Sequence, residues 1–221
     1  MKAVSNRIYY ALYALAALCL WPFVDAYVNN PDSFQYLNIA RHLLEAQFGE
    51  MVNGYWSPLI SWLLAPLLLT GFHPVLLFKA LQLVIGLFGL STWCNGLDQL
   101  HASSRISSYS KLAAIPLLLS WALLTLTADL LFVVLALRLV LFFVDHPVWN
   151  DNRRSLRAGI LGGVLFLSKS IGLPFFLLFS LITYYHHRKT TTTSSWKNFM
   201  IAMARFFSIS GLWITMISIK Y

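Results

Sequence analysis

The sequence is short of charge. Of its 221 residues only 11% are Asp, Glu, Lys or Arg, against about 25% in soluble domains. With 58% hydrophobic residues and a mean hydropathy of +0.68, a soluble fold of this size could not hide its apolar surface. Lipid must cover part of it. Cysteine is nearly absent. Cys19 and Cys94 sit in or beside apolar runs, with no CxxC and no metal-ligand spacing, so they read as small buried hydrophobes. There is no Asn-x-Ser/Thr sequon and no internal repeat. What is present is a net charge of +8, but it forms no continuous basic face, which argues against nucleic acid. The basic residues cluster beside apolar runs, where they orient a membrane protein.

The apolar runs predict an all-α, polytopic transmembrane helix bundle forming a single domain over 1–221. Lys2 and Arg7 precede a first span at 8–28, too long for a signal-peptide core and followed by further spans. An outer loop follows at 29–74. Within it, 31–48 reads as an amphipathic juxtamembrane helix, with Phe34, Leu37, Leu44 and Phe48 near one face. The apolar piece 58–69 is short for a span and reads as re-entrant or interfacial. Further spans are expected at 75–97, 112–128 and 130–146, with loops at 98–111 and 147–157. The runs 158–167 and 171–185 form a broken hairpin that does not fully cross, and a last span covers 199–219. Trp21, Tyr55, Trp56, Tyr184 and Tyr185 fall near span ends, as interfacial aromatics do.

Parity gives a direction. With the N-terminus in the cytoplasm, the inner segments carry Lys2, Arg7, Arg105, Lys111, Arg153, Arg154, Arg157, Arg188, Lys189 and Lys197. That is ten of the sixteen basic residues. The outer segments carry Asp32, Glu45, Glu50 and Asp129 against Arg41 and Lys169, which fits the positive-inside rule.

Ionisable groups therefore converge on the outer side: Asp32 in the first loop, Asp129 and Lys169 in two turns, and Lys79 a turn inside the next span. Carboxylates suit proton abstraction or metal binding, and cations suit phosphate. Each has a structural alternative. Asp32 and Asp129 can cap helices, and Lys79 and Lys169 can snorkel to the interface. Arg138 sits mid-span, either facing the bundle toward a carboxylate or marking a misplaced boundary. His186-His187 lies beside basic residues and is a poor metal site.

Four segments resemble one family. They are Asp32-Ser-Phe-Gln-Tyr-Leu-Asn-Ile-Ala, then Asn53-Gly-Tyr-Trp-Ser-Pro-Leu, then Leu-Thr-Ala-Asp129-Leu-Leu, and Gly162-Gly-Val-Leu-Phe-Leu-Ser-Lys169. Their order and spacing resemble the GT-C membrane glycosyltransferases, closest to the bacterial protein mannosyltransferase and aminoarabinose-transferase-like enzymes. The likeness covers about 8–185 and corresponds to the N-terminal part of the family's longer chains. It implies a GT-C-like bundle that moves a sugar from a polyprenyl-phosphate donor to an acceptor glycan, lipid or protein on the outer face of a bacterial inner membrane. It implies Asp32 and Asp129 as catalytic carboxylates, Arg41, Lys79 and Lys169 as ligands of the donor phosphate, and Tyr36, Tyr55 and Trp56 as sugar or acceptor contacts. No cofactor or metal site is assigned, and a divalent metal is left open. Many relatives have Asp-Glu where Ser33 follows Asp32 here. The competing expectations are a membrane transporter and a non-catalytic membrane subunit.

Overall fold

The computed structural model describes residues 5–27, 30–145, 148–190 and 196–221. Lys2, the end of the first expected span at Val28 and most of the Thr/Ser run after Lys189 lie outside them. The described residues are all-α, with no strand. The helices are α1 (Asn6–Leu20), α2 (Pro31–Leu44), α3 (Phe48–Met51), α4 (Leu59–Leu68), α5 (Pro74–Gln99), α6 (Ser104–Leu124), α7 (Asp129–Asp145), α8 (Asn152–Ser168), α9 (Gly172–Thr190) and α10 (Trp196–Lys220). Three of them, α5, α6 and α10, are long and apolar enough to cross a membrane. Around them, Leu12, Leu15 and Leu18 on α1, Leu117 on α6 and Phe207 and Leu212 on α10 are exposed, as lipid-facing residues are.

Several boundaries differ from those expected. The first helix stops at Leu20, not at residue 28, because Pro22 lacks the N–H that would continue the ladder. Its 15 residues rise about 22 Å, short of a full crossing. Asp25 is thereby released into the loop that follows. The expected loop 98–111 is largely helix, since α6 begins at Ser104 and carries Arg105 and Lys111 on its first turns. The expected break near 168–170 falls between α8 and α9, and neither is among the three helices long and apolar enough to cross. At 17 and 19 residues both nevertheless run further than expected and take Arg153, Arg154, Arg157, Arg188 and Lys189 into their turns. Helical hydrogen bonding does not end where hydropathy falls.

The helices alternate between two ends. One end, called the Asp32 end here, holds α2, α3, α4 and the turns at 125–128 and 169–171. The last residues of α10 reach it, where the Lys220 ammonium donates to the carbonyls of Gly49 and Val52, at 2.8 Å each. The other end, the basic end, holds Arg7, Arg105, Lys111, the α8 arginines, Arg188, Lys189 and Lys197.

Between them, α8 packs on α10 through Gly159 and Gly163. A Cβ on Gly159 would lie 2.3 Å from the Ala202 carbonyl, and one on Gly163 2.7 Å from Ile209 Cβ. Without a hydrophobic drive between helices in lipid, such close approach is what holds them together. Gly86 does the same for α1, leaving room for the Tyr13 hydroxyl to donate to the Leu83 carbonyl at 3.0 Å.

The burial pattern sorts the residue-level expectations. Phe34 and Leu44 on α2, and Phe48 just beyond it, are exposed, in keeping with an outward apolar face, while Leu37 joins Ser33, Tyr36 and Ala40 on the buried face, an i, i+3, i+4, i+7 set. Cys94 is buried but Cys19 faces outward. Arg138 stands toward α5, in one pocket with Thr92, Asn95, Gln99 and Asp145, and forms no ion pair with a carboxylate among the described residues. It lies exposed with its guanidinium 4.8 Å from the Phe88 ring centre. Trp56 and Tyr184 are not open belt residues: Trp56 packs on the main core, and Tyr184 packs with Trp149 and Phe199.

Candidate functional site

The site forms where α2 is pinned against the turn before α7. Pro31 occupies the first position of α2, where a missing N–H costs nothing. Asn30 caps the helix, its side-chain oxygen accepting from the Asp32 N–H at 2.9 Å. Asn30 and not Asp32 is thus the N-cap, while Asp32 still places a carboxylate in the first turn, where it favours the helix dipole. Its carboxylate sits at the second helical position, half-buried, and accepts no hydrogen bond among the described residues. One residue on, the buried Ser33 hydroxyl donates to the Leu126 carbonyl at 2.6 Å and fastens α2 to the turn. The Gln82 amide donates to the Thr127 carbonyl at 2.5 Å and fastens the same turn to α5. The Ser61 hydroxyl donates to the Tyr36 carbonyl at 2.9 Å and ties α4 to α2.

On this frame Asp129 opens α7. Its Oδ2 accepts from the Thr127 hydroxyl at 2.8 Å, and its Oδ1 accepts from the Lys169 ammonium. Lys169 follows the last residue of α8 in extended backbone, which turns its side chain across to α7. The pair is half-exposed, with side-chain exposures of 45% for Lys169 and 39% for Asp129. Tyr36 is within electrostatic reach of both carboxylates. Burial first, and after it the charges of Asp129 and Asp32, push the Tyr36 hydroxyl above its ordinary range. Tyr55 is near enough to act on Tyr36 as well. It is 76% exposed, its ring edge-on to Trp56 at 4.8 Å, and both backbone N–H groups rest on the Asn53 side chain.

Asp32, Tyr36, Tyr55, Asp129 and Lys169 are thus brought together. Arg41 and Lys79 are not. Arg41 is exposed nine residues along α2 from Asp32, about 13 Å along the axis. Lys79 is buried, and its ammonium donates to the Asp25 backbone carbonyl at 2.9 Å and to its carboxylate at 3.2 Å. A phosphate at Lys79 would have to displace Asp25. The Lys79 bond, with help from the Tyr27 N–H, holds the Asp25 carboxyl below its ordinary value. The Trp56 ring is held in the core, its Nε1 buried without a hydrogen-bond partner in the described structure.

Sequence reasoning missed Ser33, Gln82, Thr127 and Asp25, which position the site without carrying its chemistry. Gln82 had left a signal, an uncharged amide amid the apolar run of α5. Ser33 stood out only as a departure from the Asp-Glu pair of the resembled family, with nothing to mark it as a contact to the turn before α7. No group of three or more His, Cys, Asp and Glu among the described residues is placed to hold a metal ion.

Fold and site together define a helical membrane protein with a cluster of ionisable groups at one end of its helices. No family model, curated protein or solved structure matches the chain.

Proposed function

We propose that the chain is a membrane glycosyltransferase that moves a sugar from a polyprenyl-phosphate donor to an acceptor hydroxyl at the Asp32 end, on the outer face of the membrane. One observation carries the reading. The Asp32 carboxylate is half-buried and accepts no hydrogen bond among the described residues, and it shares a neighbour, Tyr36, with the half-exposed Asp129–Lys169 pair. A carboxylate with no structural partner is free to take a proton, and a lysine held at a fixed place can meet a phosphate.

The residues divide the work by their partners. The acceptor oxygen attacks the anomeric carbon while the bond from that carbon to the phosphate oxygen breaks. Asp32 takes the acceptor's proton. The bonding electrons leave with the polyprenyl phosphate, which gains a negative charge. Lys169 lies where that charge builds, and Asp129 holds its ammonium in place beforehand, so little reorganisation is needed at the moment of reaction. Tyr36 and Tyr55 flank the acceptor side.

The test is transfer of radiolabelled sugar from a polyprenyl-phosphate donor in proteoliposomes that contain the purified chain. Transfer that is lost in Asp32→Asn, with insertion and unfolding temperature kept, supports the reading. Near wild-type transfer by that variant removes Asp32 from the reaction. Flux of a solute without transfer would assign the ionisable cluster to transport instead.

A further inference from the structure

At the basic end, far from Asp32, the start of α1, the end of α5 and the first turns of α6 enclose a polar cavity of about 420 Å³. That is many times the roughly 30 Å³ a water molecule occupies. Its wall includes Lys111, of which 5% of the side chain is exposed. The ammonium donates to Asp98 Oδ1 at 2.6 Å and to Asn6 Oδ1 at 2.9 Å, and Asn6 Nδ2 donates to Asp98 Oδ2 at 2.7 Å. These bonds tie α1, α5 and α6 together and leave Asp98 with both oxygens engaged and its charge balanced. They use two of the ammonium's three donors.

The rest of the wall is donor-rich and takes no part in that tie. Ser104, Ser107 and Ser108 line it from α6. Ser107 is only 8% exposed, and its hydroxyl has no hydrogen-bond partner among the described residues. Ser104 is the first residue of a 21-residue helix whose N-cap, Ser103, makes no side-chain cap bond. The first backbone bond back to Ser103 comes from the Ser107 N–H, at 2.8 Å. The N–H groups of the turn before it are therefore open, and the positive end of the helix dipole points the same way. Arg105 stands exposed in that turn.

Open N–H groups, a hydroxyl on the cavity wall that makes no hydrogen bond among the described residues, a spare ammonium donor and a neighbouring arginine share one complement. It is an anion with several acceptor oxygens. We propose that this cavity binds a phosphate group at the basic face of the membrane, supplied by an anionic phospholipid headgroup or by free phosphate. The site stands apart from the transfer reaction and does not depend on it.

The test uses the full chain in detergent. Phosphatidylglycerol in mixed micelles is followed by native mass spectrometry, and radiolabelled inorganic phosphate by equilibrium dialysis. The variant is Ser104→Pro with Ser107→Ala. Proline is tolerated at a first helical position, and Ser103 already has the extended backbone that must precede it. The Asn6–Asp98–Lys111 tie is untouched. Saturable binding by the wild type that weakens about tenfold or more in the variant is the expected result. Phosphatidylglycerol bound without inorganic phosphate names the lipid as the source, and inorganic phosphate that binds and displaces the lipid names the free ion. Asp32→Asn should bind like the wild type. Should the double variant unfold, Ser107→Ala alone carries the comparison, with about a threefold loss expected. The proposal is overturned if neither probe binds the wild type saturably, or if the folded variant binds both unchanged.

Discussion

At the scale of single residues, what separates the two carboxylates of the cluster is whether each already has a partner. Asp32 has none in the described structure, whereas Asp129 holds Lys169 and Thr127. Asp32→Asn should cut transfer by about 10²- to 10⁴-fold, the usual contribution of a positioned base, while the unfolding temperature stays put. Asp129→Asn should lower both, because it also frees the Lys169 ammonium. Parallel activity and thermal-unfolding measurements distinguish the two patterns, and equal stability loss in both variants would sink the division of roles.

Asp25 gives a pH test. Its folded carboxyl is held below the ordinary value by Lys79, so the contribution of this bond is present above about pH 3.9 and is lost as pH falls through the lower, folded value. Wild type and Asp25→Asn should therefore differ in unfolding temperature at neutral pH and converge in strong acid. A gap that persists there would mean that the bond is not what stabilises the wild type. Asp32, Asp129 and Lys169 were legible in the sequence because a charge beside an apolar run stands out. The partner of Lys79 was not. Asp25 looked like part of a span until Pro22 ended the helix before it.

At the scale of the helices, hydropathy marked where apolar segments lie but not where helices stop. Pro22 shortens α1, and α6, α8 and α9 run on into polar, basic turns. Along α2 and just beyond it, hydropathy found the outward apolar residues Phe34, Leu44 and Phe48 but not the inner face, because small Ser33 and Ala40 are buried at the contact. The glycines of α8 were visible as a small-residue pattern, and the structure supplies the reason. Gly159→Val would drive a side chain into the Ala202 carbonyl, a backbone atom that cannot swing aside. A loss of about 1–3 kcal/mol is expected in unfolding measured in detergent. Gly211 on α10 is the control. Nothing lies within 4 Å of a Cβ placed there, so Gly211→Ala should be neutral or stabilise by about 0.5–1 kcal/mol. A similar loss in both variants would point to glycine's backbone rather than to helix packing.

At the scale of the whole molecule, the charge distribution makes the strongest claim. Among the described residues the Asp32 end carries Asp25, Asp32, Glu45, Glu50 and Asp129 against Arg41, Lys79, Lys169 and Lys220, nearly a balance. The other end gathers Arg7, Arg105, Lys111, Arg153, Arg154, Arg157, Arg188, Lys189 and Lys197 against Asp98, Asp145 and Asp151. By the positive-inside rule such a lysine- and arginine-rich end is expected in the cytoplasm. Lys220 bonded to Gly49 and Val52 adds a constraint independent of charge, since it fixes the end of α10 beside the first long loop. The prediction is made in a background of Cys19→Ser and Cys94→Ser, which removes both native thiols. Tyr55→Cys replaces a side chain that is 76% exposed at the Asp32 end, and Arg154→Cys places a thiol at the basic end. A membrane-impermeant maleimide added to intact cells should label Tyr55→Cys and spare Arg154→Cys until the membrane is opened. The reverse pattern would turn the molecule over. It would place Asp32 and the Asp129–Lys169 pair on the cytoplasmic side, and a lipid-linked donor would then have to be met there, which the proposed reaction does not allow.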